Sequence, residues 1–210
     1  MIGLADRSLY LCTPERKDLE AFVADCIAGG VDIVQLRDKQ LDDAGLRHAA
    51  TRIQAVCREH GVPFIMNDRP DLAVELGADG VHVGQDDASV SLCREILGPD
   101  AIIGLSTHAL PELEIALGED VSYLSAGPVI STPTKPGRPG TGVGYAATAS
   151  QRARVPVFVT GGVSPEAVPE LVAAGLRHFV VVRYLTEAAN PRRAASLLRS
   201  VIDETLFAQR

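Results

Sequence analysis

Gln35, Arg37 and Lys39 stand at alternate positions in the stretch VDIVQLRDKQLDD (31–43), immediately after the apolar run Val31–Val34. An extended strand puts every second side chain on one face. These three would therefore point one way, with Val34 and Leu36 on the packable side. Two cations and an amide at the end of a strand suit an anion, and arginine can grip two phosphate oxygens at once. Lys135, in STPTKPGRPGTG (131–142), is a third cation of the same use. Asp68 and Asp87, with few other oxygen ligands, suit a Mg²⁺ that keeps waters and binds substrate phosphates. Backbone N–H groups around Thr132 and Thr134, and at Gly162, where glycine permits close approach, suit a second phosphate. The chain shows no Ser-His-Asp arrangement, no cysteine at a strand end, no carboxylate dyad and no lysine within a strand. This set describes electrostatic handling of a departing diphosphate rather than a covalent protein intermediate.

These residues need elements to bring them together. Eight short β-like runs alternate with amphipathic helical stretches: SLYLCT (8–13), DIVQLRD (32–38), PFIMND (63–68), GVHVG (80–84), AIIGLST (101–107), SYLSAGPVI (122–130), PVFVTGG (156–162) and HFVVVRYL (178–185). The helical stripes include Leu19, Phe22, Val23, Cys26 and Ile27, then Leu46, Ala49, Ala50, Ile53, Val56 and Cys57, ending at Gly61. Ser164 with Pro165 is read as a helix start. Asn190 and Pro191 open a last helix with the stripe Ala194, Leu197, Leu198, Val201 and Ile202. Apolar strands joined by helical crossovers imply a parallel sheet covered by helices. Eight such units in 210 residues predict a single-domain (β/α)₈ TIM barrel over 1–210. The alternative is a doubly wound open sheet, which usually has five or six strands.

In a barrel of this kind the site lies at the C-terminal ends of the strands. Thr13, then Gln35, Arg37 and Lys39, then Asn67 and Asp68, then Gln85, Asp86 and Asp87, then Ser106 and His108 all fall there. So do the loop carrying Thr132, Thr134 and Lys135, the pair Gly161-Gly162, and Arg183. Each has a plainer use. Asp68 can cap a helix, Asp86 and Asp87 can be solvated turn residues, Ser106 can bond backbone, and Gly161-Gly162 can be a tight turn. His82, inside a strand, reads as structural. Convergence on one mouth favours the functional reading.

Composition narrows the classes. A net charge of −7 argues against a general nucleic-acid binder, and 4% aromatic residues with no Trp argues against base-stacking platforms. The four cysteines are scattered without a C-x-x-C, so neither disulfides nor a zinc site is expected. Neither a signal peptide nor a bilayer-spanning apolar run is evident, and a cytoplasmic protein without a membrane partner is the default. A homo-oligomer is compatible with the sequence, which does not specify one.

The motifs QLRDK (35–39), MND (66–68), GVHVGQDD (80–87), GLSTH (104–108), AGPVISTPTKPG (126–137) and TGGV (160–163) together resemble the thiamine-phosphate synthase family, in order from about residue 8 to 185. The resemblance implies a (β/α)₈ barrel that joins hydroxymethylpyrimidine diphosphate to a thiazole phosphate, releasing diphosphate, with Mg²⁺. It assigns Gln35, Arg37, Lys39, Asn67 and Lys135 to the pyrimidine diphosphate and Asp68 and Asp87 to Mg²⁺. Ser106 falls to the pyrimidine ring, and Thr132, Thr134 and Gly162 to the thiazole phosphate. Among these, Arg37, Lys39, Lys135 and Ser106 are the residues expected to act in catalysis. VVRYL (181–185) departs from the Val-Ser-Ala-Ile common in the family, so Arg183 either holds the thiazole phosphate or pairs with a helix-end acid. Ile130-Ser131 also stands where an aromatic and a proline are common. Two rivals remain: a thiazole tautomerase, which would not need QLRDK, MND and QDD together, and a non-catalytic binder of thiazole or thiamine phosphate.

Overall fold

Val, Ile and Leu on both faces of the short runs make them strands that are stable only when covered on both sides. The computed structural model describes residues 3–132 and 139–209. Its strands are β1 Leu9–Thr13, β2 Ile33–Leu36, β3 Phe64–Asn67, β4 Gly80–Val83, β5 Ile102–Thr107, β6 Tyr123–Ala126, β7 Val157–Val159 and β8 His178–Val181. Each pairs in parallel with the next, and Leu9–Leu11 of β1 pair with Phe179–Val181 of β8. The result is a closed eight-stranded parallel barrel, and the open-sheet alternative is excluded.

The outer layer is α1 Leu19–Ala28, α2 Asp43–His60, α3 Pro70–Leu76, α4 Val90–Leu97, α5 Leu110–Ala116, α6 Val143–Arg152, α7 Val168–Ala173, α8 Arg183–Thr186 and α9 Pro191–Phe207. Their ends follow local chemistry. The Asp42 carboxylate accepts the Gly45 N–H at 2.8 Å to open α2, and Gly61, at φ 65°, closes it in the left-handed conformation that glycine adopts without strain. Asn190 opens α9 by accepting the Arg193 N–H at 2.9 Å. Ala49, Ala50, Ile53, Val56 and Cys57 of α2 are buried against the barrel, as the stripe predicts.

Three local expectations are corrected. β8 stops at Val181, and Arg183 begins the short helix α8 rather than ending a strand. Helix α7 starts at Val168; Ser164 instead makes a turn with its carbonyl and bonds the Glu166 carboxylate at 2.7 Å. On α9 the buried stripe is Ala195, Leu198 and Ile202, whereas Leu197 is 53% exposed. Ala194 and Val201 lie partly buried at the edge of that stripe.

Two cores result. The larger lies between strands and helices. The smaller fills the barrel itself: Leu4, Tyr10, Ile33, Ile65, Ile102, Tyr123 and Phe158. Its three aromatic rings meet edge-to-face at centroid separations of 5.3–5.9 Å, a favourable geometry for aromatic pairs. At the N-terminal ends of the strands, polar groups clasp neighbours. Asp32 accepts the Ser8 and Leu9 N–H groups and pairs with Arg199, Asp79 accepts the Phe64 N–H, and Ser122 accepts the Ile103 N–H.

Room for the Tyr123 ring comes from β5. A Cβ on Gly104 would lie 2.1 Å from Tyr123 Cζ, so any side chain there must displace a fully buried ring. Gly104→Ala is therefore expected to destabilise the fold by about 1–3 kcal/mol, an overpacking cost. In thermal melting, that corresponds to a Tm lowered by several degrees, and an unchanged Tm would show that the ring does not need this space.

Candidate active site

A cavity of about 280 Å³ opens at the C-terminal ends of the strands. Gln35 enters it from β2, Arg37 from the residue just after β2, and Asn67 from the end of β3. Thr132, Gly162 and Arg183 line the other side. Arg37 keeps the strand's direction because its N–H continues the ladder to the Thr13 carbonyl at 2.8 Å. Lys39 does not: it lies in the following loop, exposed, and reaches Asp68 at 3.0 Å. Strand alternation thus carries Gln35 and Arg37 into the cavity, whereas Lys39 arrives by a loop.

Asp68 follows Asn67 and has φ 61°, alone among the described non-glycine residues in having a positive φ. Such a conformation is mildly strained, and aspartate tolerates it better than most. Burial raises its carboxyl above the ordinary aspartate range; Lys39 opposes that rise and the nearby Asp87 carboxylate adds to it. Asp87 Oδ2 also accepts the Gly84 N–H at 2.7 Å. The two acids expected to hold a metal therefore meet, with Lys39 beside them. Among the described residues no cluster of three or more His, Cys, Asp or Glu could hold a metal ion. Two carboxylates alone are a partial, all-oxygen donor set of the kind hard cations take.

Gly161 and Gly162, at φ 87° and 80°, form the turn after β7. A Cβ on Gly162 would lie 2.6 Å from Ile130, so the turn and the segment after β6 are packed without slack. Thr134 and Lys135 lie outside the described residues, as does all of 133–138. Arg183 is half exposed and held by Glu187 one turn on, at 2.8 Å, which is the second of the two roles expected for it.

A continuous hydrogen-bonded series links these groups, and its members Tyr10, Tyr123 and His82 also line the cavity, whereas Ser106 does not. Gln35 Nε2 donates to Tyr10 Oη at 2.7 Å, and the Tyr10 and Tyr123 hydroxyls share a bond of 2.9 Å. Tyr123 Oη and His82 Nδ1 are 2.9 Å apart, and His82 Nε2 and Ser106 Oγ 2.8 Å. Burial raises the pKa of both tyrosines, so both remain protonated. His82 is packed as expected, yet it bonds Ser106, which is assigned to the site, as well as Tyr123. The tyrosines themselves were not anticipated. The available signal was that two of only four tyrosines fall two residues before Cys12 and Ser125, on the same strand faces, and both of those residues also line the cavity. Burial pushes the Cys26 and Cys57 thiols up to about 12, which leaves them poor nucleophiles.

The sequence model of the family described as thiamine monophosphate synthase matches residues 9–185. The chain belongs to the thiamine monophosphate synthase family. It is 42% identical over 215 residues to the thiamine-phosphate synthase of Mycobacterium sp. (strain KMS), covering 95% of this chain and 94% of that one. The thiamine-phosphate synthase of Acidothermus cellulolyticus is 40% identical, over 92% and 94% of the two chains. A solved structure, thiamine phosphate pyrophosphorylase from Pyrococcus furiosus, superposes with a TM-score of 0.85 at 27% identity, covering 95% and 96%. Membership of the thiamine monophosphate synthase family makes the chain an enzyme, a transferase of thiamine biosynthesis. No helix among the described residues is long and apolar enough to cross a membrane.

The Arg183–Glu187 pair is an exposed contact one helical turn apart, a geometry that contributes little to stability. Arg183→Ala is expected to leave both the Tm and the rate of thiamine phosphate formation near wild type. A drop in kcat/KM of about tenfold would instead mean that the guanidinium leaves Glu187 for the substrate.

Proposed function

We propose that this enzyme couples 4-amino-2-methyl-5-(diphosphooxymethyl)pyrimidine to 4-methyl-5-(2-phosphoethyl)thiazole, or its carboxylated form, giving thiamine phosphate and diphosphate. The observation that carries the reading is the convergence of Arg37, Asn67, Thr132 and Gly162 on one cavity with Lys39, Asp68 and Asp87 beside it. Gln35 and Ser106 meet the pyrimidine, while Arg37, Lys39, Asn67 and Lys135 meet its diphosphate. Thr132, Thr134 and Gly162 take the phosphate of the thiazole.

Asp68 and Asp87 hold Mg²⁺, which supplies charge neutralisation for the leaving diphosphate. The chain's own part is electrostatic. Arg37, Lys39 and Lys135 stabilise negative charge as it builds on the diphosphate, and the cavity shields the resulting pyrimidine-methyl cation from water until the thiazole nitrogen traps it. No protein nucleophile is assigned, in keeping with the inert thiols. The small-molecule substrates are the partners; the reaction needs neither nucleic acid nor membrane, and the cytoplasm is its proposed location.

Diphosphate release measured with both substrates tests the reading, and its absence would overturn it. Asp68→Asn and Asp87→Asn should each raise the Mg²⁺ concentration giving half-maximal rate, since each removes one charged ligand. Unchanged Mg²⁺ titrations in both variants would reject that assignment. Lys135→Ala should lower kcat by about 10²–10³ with little change in KM, the loss typical of one preorganised charge-stabilising group. A near-normal kcat in a folded variant would remove Lys135 from the leaving-group role.

A further inference from the structure

The buried series between Gln35 and Ser106 has a direction. Cys12 Sγ donates to Gln35 Oε1 at 3.4 Å, which turns the amide Nε2 toward Tyr10 Oη at 2.7 Å. A phenol carries one hydrogen. Tyr10 accepts from Gln35, so its own hydrogen goes to Tyr123 Oη, 2.9 Å away. Tyr123 has then accepted, and its hydrogen goes to His82 Nδ1 at 2.9 Å. A nitrogen that accepts carries no hydrogen, so His82 is neutral with its hydrogen on Nε2. Nε2–H donates to Ser106 Oγ at 2.8 Å. The single hydrogen of Ser106 cannot then point at His82.

We propose that Tyr10, Tyr123 and His82 are positioning residues that transmit the orientation of the Gln35 amide across the barrel and set the Ser106 hydroxyl as a hydrogen-bond donor to the substrate ring. The consequence rests on the reading above that Ser106 meets the pyrimidine: a hydroxyl so fixed selects a ring position that accepts, such as an aromatic nitrogen, over one that donates. Turning the Gln35 amide over would reverse every bond. His82 would then carry its hydrogen on Nδ1, and Ser106 would be spent as a donor to the ring nitrogen behind it. Gln35 on β2, which lines the cavity, is thus coupled to the buried Ser106 on β5 through the three residues between them.

The route is rigid. Tyr10 and Tyr123 are 1% and 0% exposed, the Tyr123 ring lies over Gly104, and His82 stacks on it at a centroid separation of 5.5 Å. The two phenols are closed off from bulk solvent.

The test begins without substrate. In protein labelled with ¹⁵N-histidine, assigned against His82→Gln, long-range ¹H–¹⁵N correlation should show Nδ1 of His82 as the unprotonated nitrogen and Nε2 as the protonated one. The opposite tautomer, or an imidazolium near neutral pH, would overturn the proposal. Tyr123→Phe should abolish the single-tautomer signature and raise the KM for the pyrimidine substrate about tenfold, the loss of one hydrogen bond to a buried acceptor, while the KM for the thiazole phosphate stays put. Tyr10→Phe, which breaks the series one step earlier, should shift the same two readouts, so the test does not depend on one variant folding. In a Ser106→Ala background Tyr123→Phe should add nothing further, because both changes act through one hydroxyl. Additive effects, or equal losses for both substrates, would make Tyr123 a packing residue only and overturn the proposal. Should the wild type release no diphosphate at all, the functional reading and the role of Ser106 fall, while the tautomer still decides the direction of the series.

Discussion

Closure of the sheet, by the pairing of β1 with β8, constrains everything else in this molecule. A closed parallel barrel has no edge, so no strand is left with an unpaired side along the ring. Closure also makes an interior of fixed width. Side chains that alternate inward must fill it completely, and three aromatic rings do most of that filling. Once the rings are in place, the polar groups above them have few options. Gln35, His82 and Ser106 are inward positions higher on their strands, and they bond to the tyrosine hydroxyls or to one another.

Much of the fold was legible because period-two and near-period-four patterning are local signals. Eight apolar runs and their intervening stripes read directly as strands and helices, and their number favoured closure. The ends were less legible. Arg183 looked like a strand end because Val180–Val182 are apolar, but a helical turn begins there and gives the arginine a partner in Glu187. Ser164-Pro165 carries a helix-start signature, yet the chain spends one more turn before α7. In both places the contact made is local, Arg183 to Glu187 and Ser164 to Glu166, but residue types alone did not choose it over the expected reading.

The site was legible in a different way. Cations, acids and glycines at strand ends are conspicuous as residue types, and the meeting of Lys39, Asp68 and Asp87 follows from their positions after β2, β3 and β4. What sequence could not supply was the support behind them. Tyr10 and Tyr123 are 113 residues apart and look like ordinary core tyrosines. Only the curvature of the closed sheet brings their hydroxyls to 2.9 Å, and only there does an aromatic side chain become part of a polar network.

The clasps at the opposite rim have a rhythm of their own. Asp32 stands before β2 and holds the start of β1; Asp79 stands before β4 and holds β3; Ser122 stands before β6 and holds β5. The residues that precede β3 and β7 are prolines, Pro63 and Pro156, and they offer only a carbonyl to the neighbouring strand. The lower rim is therefore built from strand pairs, first with second, third with fourth, fifth with sixth. A barrel assembled in this way is modular. Whole two-strand pieces can be recombined at the seams between pairs without separating any acid or hydroxyl from the amides it holds, while a cut between the first and second, third and fourth, or fifth and sixth strands severs a clasp.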